Sequence, residues 1–207
     1  MKQLTSSEFI KAWEEFSVQF IRENPDWLKA YQHDGTWSPK FLVTKSSNSK
    51  ISPIGNFLKD KFKLRYRTED GSFDIAFSSA ENFKNIPYIF KNEIKKFELE
   101  DQFYPAYYDI IIEVENKFNR AWQEMTKLTW VRCPLKVLVT YNSSDENESI
   151  ITLENDMLKE SFRTIIDQSN KNFADNVQTE YLLIVGNAKN ENLNWNFFQF
   201  DSTGKLK

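Results

Sequence analysis

The sequence predicts an α/β domain, on three observations. Residues 5–23 carry Phe9, Trp13, Phe16 and Phe20 at helical spacing. Residues 107–141 read as strand, helix, strand, the βαβ unit of a parallel pair, whose crossover is right-handed as a rule. Within that unit, residues 135–141 are a nearly continuous apolar run, as expected for a central strand covered on both faces.

Each element has its own signal. Thr5 and Glu8 fit a capping box that opens the first helix, and Asn24-Pro25 closes it. Trp27, Leu28 and Tyr31 suit a further short helical piece before the Asp34-Gly35 turn. Residues 46–53, rich in Ser, Asn and Lys, read as a loop. Residues 61–77 pattern as a β-hairpin, with arms at 61–68 and 72–77 and a turn at Glu69-Asp70-Gly71. In the first arm Lys61, Lys63, Arg65 and Arg67 fall on one face, and Phe62, Leu64 and Tyr66 on the other. Residues 80–105 give no firm pattern.

Residues 107–116 read as a buried strand. A helix follows over about 119–132, with Ala121, Trp122, Met125 and Leu128 facing inward and Pro134 beyond its end. After an acidic, Asn/Ser-rich loop at 142–149, a long helix over about 153–173 carries Met157, Phe162, Ile165 and Ile166. Residues 181–185 and 193–200 read as strands joined by a turn. No repeat or linker breaks the chain, so residues 1–207 are expected to form a single domain, with a core at 1–141 and a C-terminal extension of sheet and helices at 142–207.

Composition narrows the chemistry. Hydrophobic residues make up 40% and charged residues 28% of the chain, ordinary values for a folded soluble protein. Aromatics at 15% argue against long disorder. The net charge of −3 gives no global basicity, which counts against a simple DNA-coating protein but leaves room for a local basic groove. A lone cysteine, Cys133, precludes an intramolecular disulfide and suits a cytoplasmic location. No apolar run approaches the roughly 20 residues that span a bilayer, so no membrane partner is expected. With His33 as its one histidine, the chain lacks the means for multi-histidine zinc sites. Hydrolytic chemistry would lean on carboxylates, lysines and a hard metal.

The carboxylates sit in an informative pattern. Asp74 lies in the second hairpin arm, and Glu113-Val114-Glu115 in the strand that follows. Residues i and i+2 of a strand share a face, so Glu113 and Glu115 can converge, with Asp74 joining from a neighbouring strand. Clustered carboxylates of this kind suit Mg²⁺ or Mn²⁺.

The order helix, three strands, helix, strand, together with Asp74, Glu113 to Asn116, the helix bearing Trp122, Glu124, Lys127 and Leu128, and the strand from Pro134 to Tyr141, resembles the PD-(D/E)xK (restriction-endonuclease-like) nuclease superfamily. The resemblance covers roughly residues 5–141. It implies an αβββαβ core with a mixed central sheet flanked by helices, and metal-dependent phosphodiester hydrolysis of nucleic acid, with DNA as the expected partner. Asp74, Glu113 and Glu115 would hold Mg²⁺ (or Mn²⁺), and Asp109, on the face of Glu113, is the fallback for Asp74. The usual lysine of the motif is replaced by Glu115, as in a few restriction enzymes of the superfamily. Lys127 or Lys117 would take the lysine's role; the lysine has migrated to this helix in some members, and Lys127 is favoured because Lys117 falls past the expected strand end. The basic face at Lys61, Lys63, Arg65 and Arg67 would suit a phosphate backbone. Many relatives dimerise, which makes a homodimer admissible. The departure at Glu115 also motivates an alternative, a catalytically degenerate member of the fold acting as a DNA- or protein-binding module.

Overall fold

The capping box forms as expected. The Glu8 amide donates to Thr5 Oγ1 at 3.2 Å and the Thr5 amide to Glu8 Oε2 at 3.0 Å, opening helix α1 (Ser6–Glu23). In this computed structural model, which describes residues 4–25, 44–45, 50–70, 73–79, 108–142, 147–172, 178–189 and 192–207, α1 buries Phe9, Trp13, Phe16 and Phe20. The segments read at Trp27, Leu28 and Tyr31, at Asp34-Gly35 and at 80–105 lie outside the described residues, as does His33.

Two short strands, β1 (Thr44–Lys45) and β2 (Lys50–Ile51), pair antiparallel. Helix α2 (Pro53–Phe62) follows, mostly over residues 54–60 that carry no assignment from the sequence, and it takes in the first two residues of the expected hairpin arm. Ser52 caps it, its Oγ accepting from the Gly55 amide at 2.9 Å, and Pro53 sits at the first turn, where its missing N–H costs nothing. The hairpin is therefore shorter than its pattern: β3 (Arg65–Asp70) pairs antiparallel with β4 (Phe73–Ser78). Lys61 lies in the last turn of α2, and Lys63 is its left-handed cap at φ 56°, so neither stands on the strand with Arg65 and Arg67.

Strand β5 (Ile110–Glu115) pairs antiparallel with β4 and parallel with β6 (Leu135–Tyr141). The crossover holds a short 3₁₀ turn, Phe118–Arg120, and helix α3 (Ala121–Thr129). Ala121, Met125 and Leu128 are buried, whereas Trp122 is 54% exposed and does not face inward as its spacing suggested. Helix α4 (Glu148–Asn172) starts earlier than expected and leads to β7 (Glu180–Lys189), parallel to β6, which turns back as β8 (Asn192–Phe200). The C-terminal part thus extends the same mixed sheet, whose order is β3-β4-β5-β6-β7-β8.

Alternation along the central strands builds two cores. Ile110, Ile112, Val137, Val139, Leu182 and Ile184 pack with α1 and α2 on one side. Ile111, Leu138, Leu183 and Val185 pack with α3 and α4 on the other. Every residue of β6 is buried, as its apolar run requires. Cys133 is buried, its Sγ donating to the Leu135 carbonyl. Among the described residues, no helix is long and apolar enough to cross a membrane.

Candidate active site

Three elements bring the charged cluster together. The pairing of Ile75 with Ile112 and of Ala76 with Ile111, continued by one step, sets Asp74 opposite Glu113 on the α3 side of the sheet. Helix α3 crosses that face and presents Glu124 and Lys127, one turn apart. Lys127 Nζ lies 2.8 Å from Glu113 Oε2 and 2.6 Å from Glu124 Oε2. Asp74 Oδ2 accepts from the Val114 amide at 2.8 Å, which anchors its carboxylate against β5.

Glu113 is an uncommon residue for its place. It is 1% exposed, a burial that a carboxyl seldom reaches unless it is paired. Burial pushes its carboxyl up to about 9; the hydrogen bond from Lys127 opposes the rise, and the charges of Asp74 and Glu124 add to it. Burial also raises Asp74, against the Val114 amide and the Lys127 charge, while a proton on Glu113 can be donated to it. The two carboxyls therefore behave as a pair holding a proton at neutral pH. Burial pulls Lys127 down, but its bonds to Glu113 and Glu124 outweigh this and leave it raised, firmly an ammonium. Its side chain is 26% exposed, so it also reaches solvent.

Glu115, Asp109 and Lys61 are held by partners outside this cluster. Glu115 ends β5, and its Oε1 accepts from the Lys117 amide at 2.8 Å, a local turn that leads into the 3₁₀ segment. Lys117 is exposed beyond the strand. Asp109 stands before β5, where its Oδ2 accepts from the Ser79 amide at 2.5 Å and closes the link to β4. Lys61 pairs with Glu15 of α1. Arg65 and Arg67 lie opposite Ser78 and Ala76, which gives them the sheet face of Asp74. Glu124 was not singled out from the sequence as part of the site; its i, i+3 spacing from Lys127 is the signal that marks it.

The donor set bears on a metal. A hard divalent cation takes carboxylate oxygens and completes its shell with water. Asp74 and Glu113 fit this role. Among the described residues, no group of three or more metal-ligating side chains is formed, so an ion here would rest on that pair and on water. Comparisons with protein-family models, with curated proteins and with solved structures returned no match.

Proposed function

We propose that the chain is a metal-dependent nuclease of the PD-(D/E)xK class, acting on nucleic acid and preferentially on DNA. The observation that carries this reading is the convergence of Asp74, Glu113 and Lys127 from β4, β5 and α3 at the buried Glu113 carboxyl. Sequence-remote acid, acid and lysine on one face of a mixed sheet is the arrangement that the chemistry needs. In this reading Asp74 and Glu113 hold Mg²⁺ or Mn²⁺, which supplies a water of lowered pKa and neutralises charge on the scissile phosphate. Lys127 offers its ammonium to the phosphate or to the attacking water, and Glu124 fixes the lysine's position. Arg65 and Arg67, on the same face, steer the strand by its phosphates.

The test is cleavage of single- and double-stranded DNA and of RNA with Mn²⁺, by wild type and Glu113→Gln. Cleavage by the wild type alone supports the reading. No cleavage of any of them by the wild type, or equal cleavage by the variant, overturns it.

A second reading has its own observation. Glu115 holds the motif position usual for lysine, and its carboxylate is engaged by the Lys117 amide. Lys127 is already paired with two carboxylates. A binding module that keeps the fold without the chemistry would carry these features, and would bind DNA in a salt-dependent way without cutting it.

A further inference from the structure

Among the described residues, the exposed aromatic side chains are Trp122 and Trp130, at 54% and 76%, and both stand on α3 or its C-cap. Thr126 lies midway between them, so the three residues follow at four-residue steps along one side of the helix. The Thr126 hydroxyl donates to the Trp122 carbonyl at 2.9 Å, and no charged side chain interrupts the ridge. The packing of α3 against the sheet and α4 is carried by Ala121, Met125 and Leu128. The two indoles are left with their apolar surface in water, although indoles are among the side chains that gain most from being covered.

Charge and position point to what covers them. Between Lys117 and Arg132 the chain carries four basic residues and one acidic residue, Glu124, while the whole chain has a net charge of −3. Glu124 is held by Lys127, whereas Lys117 and Arg120 are exposed before α3 and Arg132 after it. Exposed rings set between cations suit a nucleic-acid strand, whose phosphates meet the cations while its bases stack on the rings. The ridge also reaches the candidate active site. Lys127, paired with Glu113, lies three residues before Trp130, whose amide donates to the Lys127 carbonyl at 3.1 Å. Residues at that spacing are neighbours on a helix surface.

The spacing of the rings selects the kind of strand. Eight residues of helix rise about 12 Å. That is several times the rise of about 3.4 Å per base along a duplex strand. Bases inside a duplex also keep their faces against one another, so rings this far apart receive bases drawn out of the stack.

We infer that the outer side of α3 is a stacking platform for unpaired nucleobases, with Trp122 and Trp130 each taking the face of a base and Lys117, Arg120 and Arg132 meeting the phosphates. The inference deepens the nuclease reading, and rests on it for the site that the strand enters: the substrate is a strand with unpaired bases.

The experiment is a titration of the full chain, in a chelator and at one salt concentration, with a labelled oligothymidylate, an abasic sugar-phosphate strand of equal length and a blunt duplex, followed by anisotropy. The oligothymidylate is expected to bind most tightly. Trp122→Ala and Trp130→Ala should each lower its affinity roughly tenfold and leave the abasic strand nearly unaffected, and Trp122→Phe/Trp130→Phe should keep most of the binding. The comparison of oligothymidylate with the abasic strand is made on the wild type, so it stands whatever a substitution does to folding. Equal binding of these two strands, tighter binding of the duplex, or no binding of any probe overturns the platform. Undiminished binding by Trp122→Ala/Trp130→Ala overturns it as well, and would leave the rings to a protein partner. Chelation keeps the result apart from the cleavage test: a chain that stacks the strand and cuts nothing refutes only the nuclease reading.

Discussion

Lys127 of α3 holds its ammonium 2.8 Å from the buried carboxylate of Glu113 on β5, although the two residues sit on different elements of the βαβ crossover. The contact ties the helix to the sheet at the place where Asp74 also arrives. It separates the two lysine candidates, since Lys117 is exposed beyond the strand and remains outside the cluster. Lys127→Ala is expected to lower Mn²⁺-supported cleavage on the order of 100-fold, the usual loss for one charge-stabilising donor. Lys117→Ala is expected to leave it unchanged. Single-turnover cleavage of a labelled duplex distinguishes the two, and an equal loss in both variants would contradict the assignment.

The Glu113 carboxyl sets the direction of a pH dependence. Its ordinary value is 4.5 and its folded value about 9, so between these the native state keeps a proton that the unfolded chain releases. The stabilisation is complete below 4.5 and falls away as pH rises to about 9. Asp74, also raised, acts in the same sense at the acid end. Glu180 and Asp201 are lowered and lose their contributions only towards acid. Thermal unfolding at pH 5.5 and 8.5 should therefore show the wild type losing Tm with pH, and Glu113→Gln losing less, by a difference on the order of several degrees. A parallel fall in both proteins would contradict a proton held on Glu113.

Glu115 is expected to contribute little. Its carboxylate closes a local turn with the Lys117 amide. Glu115→Ala should leave Mn²⁺ affinity within about twofold of wild type, a change near the size expected for an exposed local contact. A calorimetric titration that finds binding abolished would return Glu115 to the site.

The basic surface is narrower than its sequence pattern. Arg65 and Arg67 share the face of Asp74, whereas Lys61 and Lys63 belong to the end of α2. In a DNA-binding titration across salt concentration, Arg65→Ala/Arg67→Ala should reduce the salt slope by about 1 to 2. Lys61→Ala/Lys63→Ala should leave it as in wild type. The reverse pattern would move the contact surface to α2.

Gly186 supports the other side of the same sheet. A Cβ there would lie 2.5 Å from Tyr141 Cδ1 and 2.9 Å from Trp195 Cζ3, both rings of the α1-facing core. Gly186→Ala is expected to destabilise by about 1–3 kcal/mol, read from denaturant unfolding. An unchanged midpoint would mean that the two rings move aside freely.

What the sequence disclosed follows from where its signals are local. The Thr5–Glu8 capping box and the apolar run of β6 need only neighbours or burial to be read, and both stand as expected. Helix α2 escaped notice because Lys61, Phe62, Lys63 and Leu64 continue the alternation of β3 backwards. Two-residue periodicity cannot tell the last turn of a helix and its left-handed cap from the start of a strand. The Ser52-Pro53 pair, a cap followed by proline, was the signal that outweighed it. In the site, Asp74, Glu113 and Lys127 were each marked by the family resemblance, and they do meet in space. Glu115 closes β5 opposite Thr140, and its contact with the Lys117 amide is a local turn that strand alternation does not disclose. Trp122 was misjudged because α3 is three turns or less, and its spacing fits an inward face without requiring it.

The most direct measurement is a calorimetric Mn²⁺ titration of wild type against Asp74→Asn/Glu113→Gln. One binding event in the wild type, strengthening from pH 6 to 8 as the shared proton is displaced and absent from the double variant, is the expected result. Equal binding by both proteins, or no binding by the wild type, would contradict a metal site on this carboxylate pair.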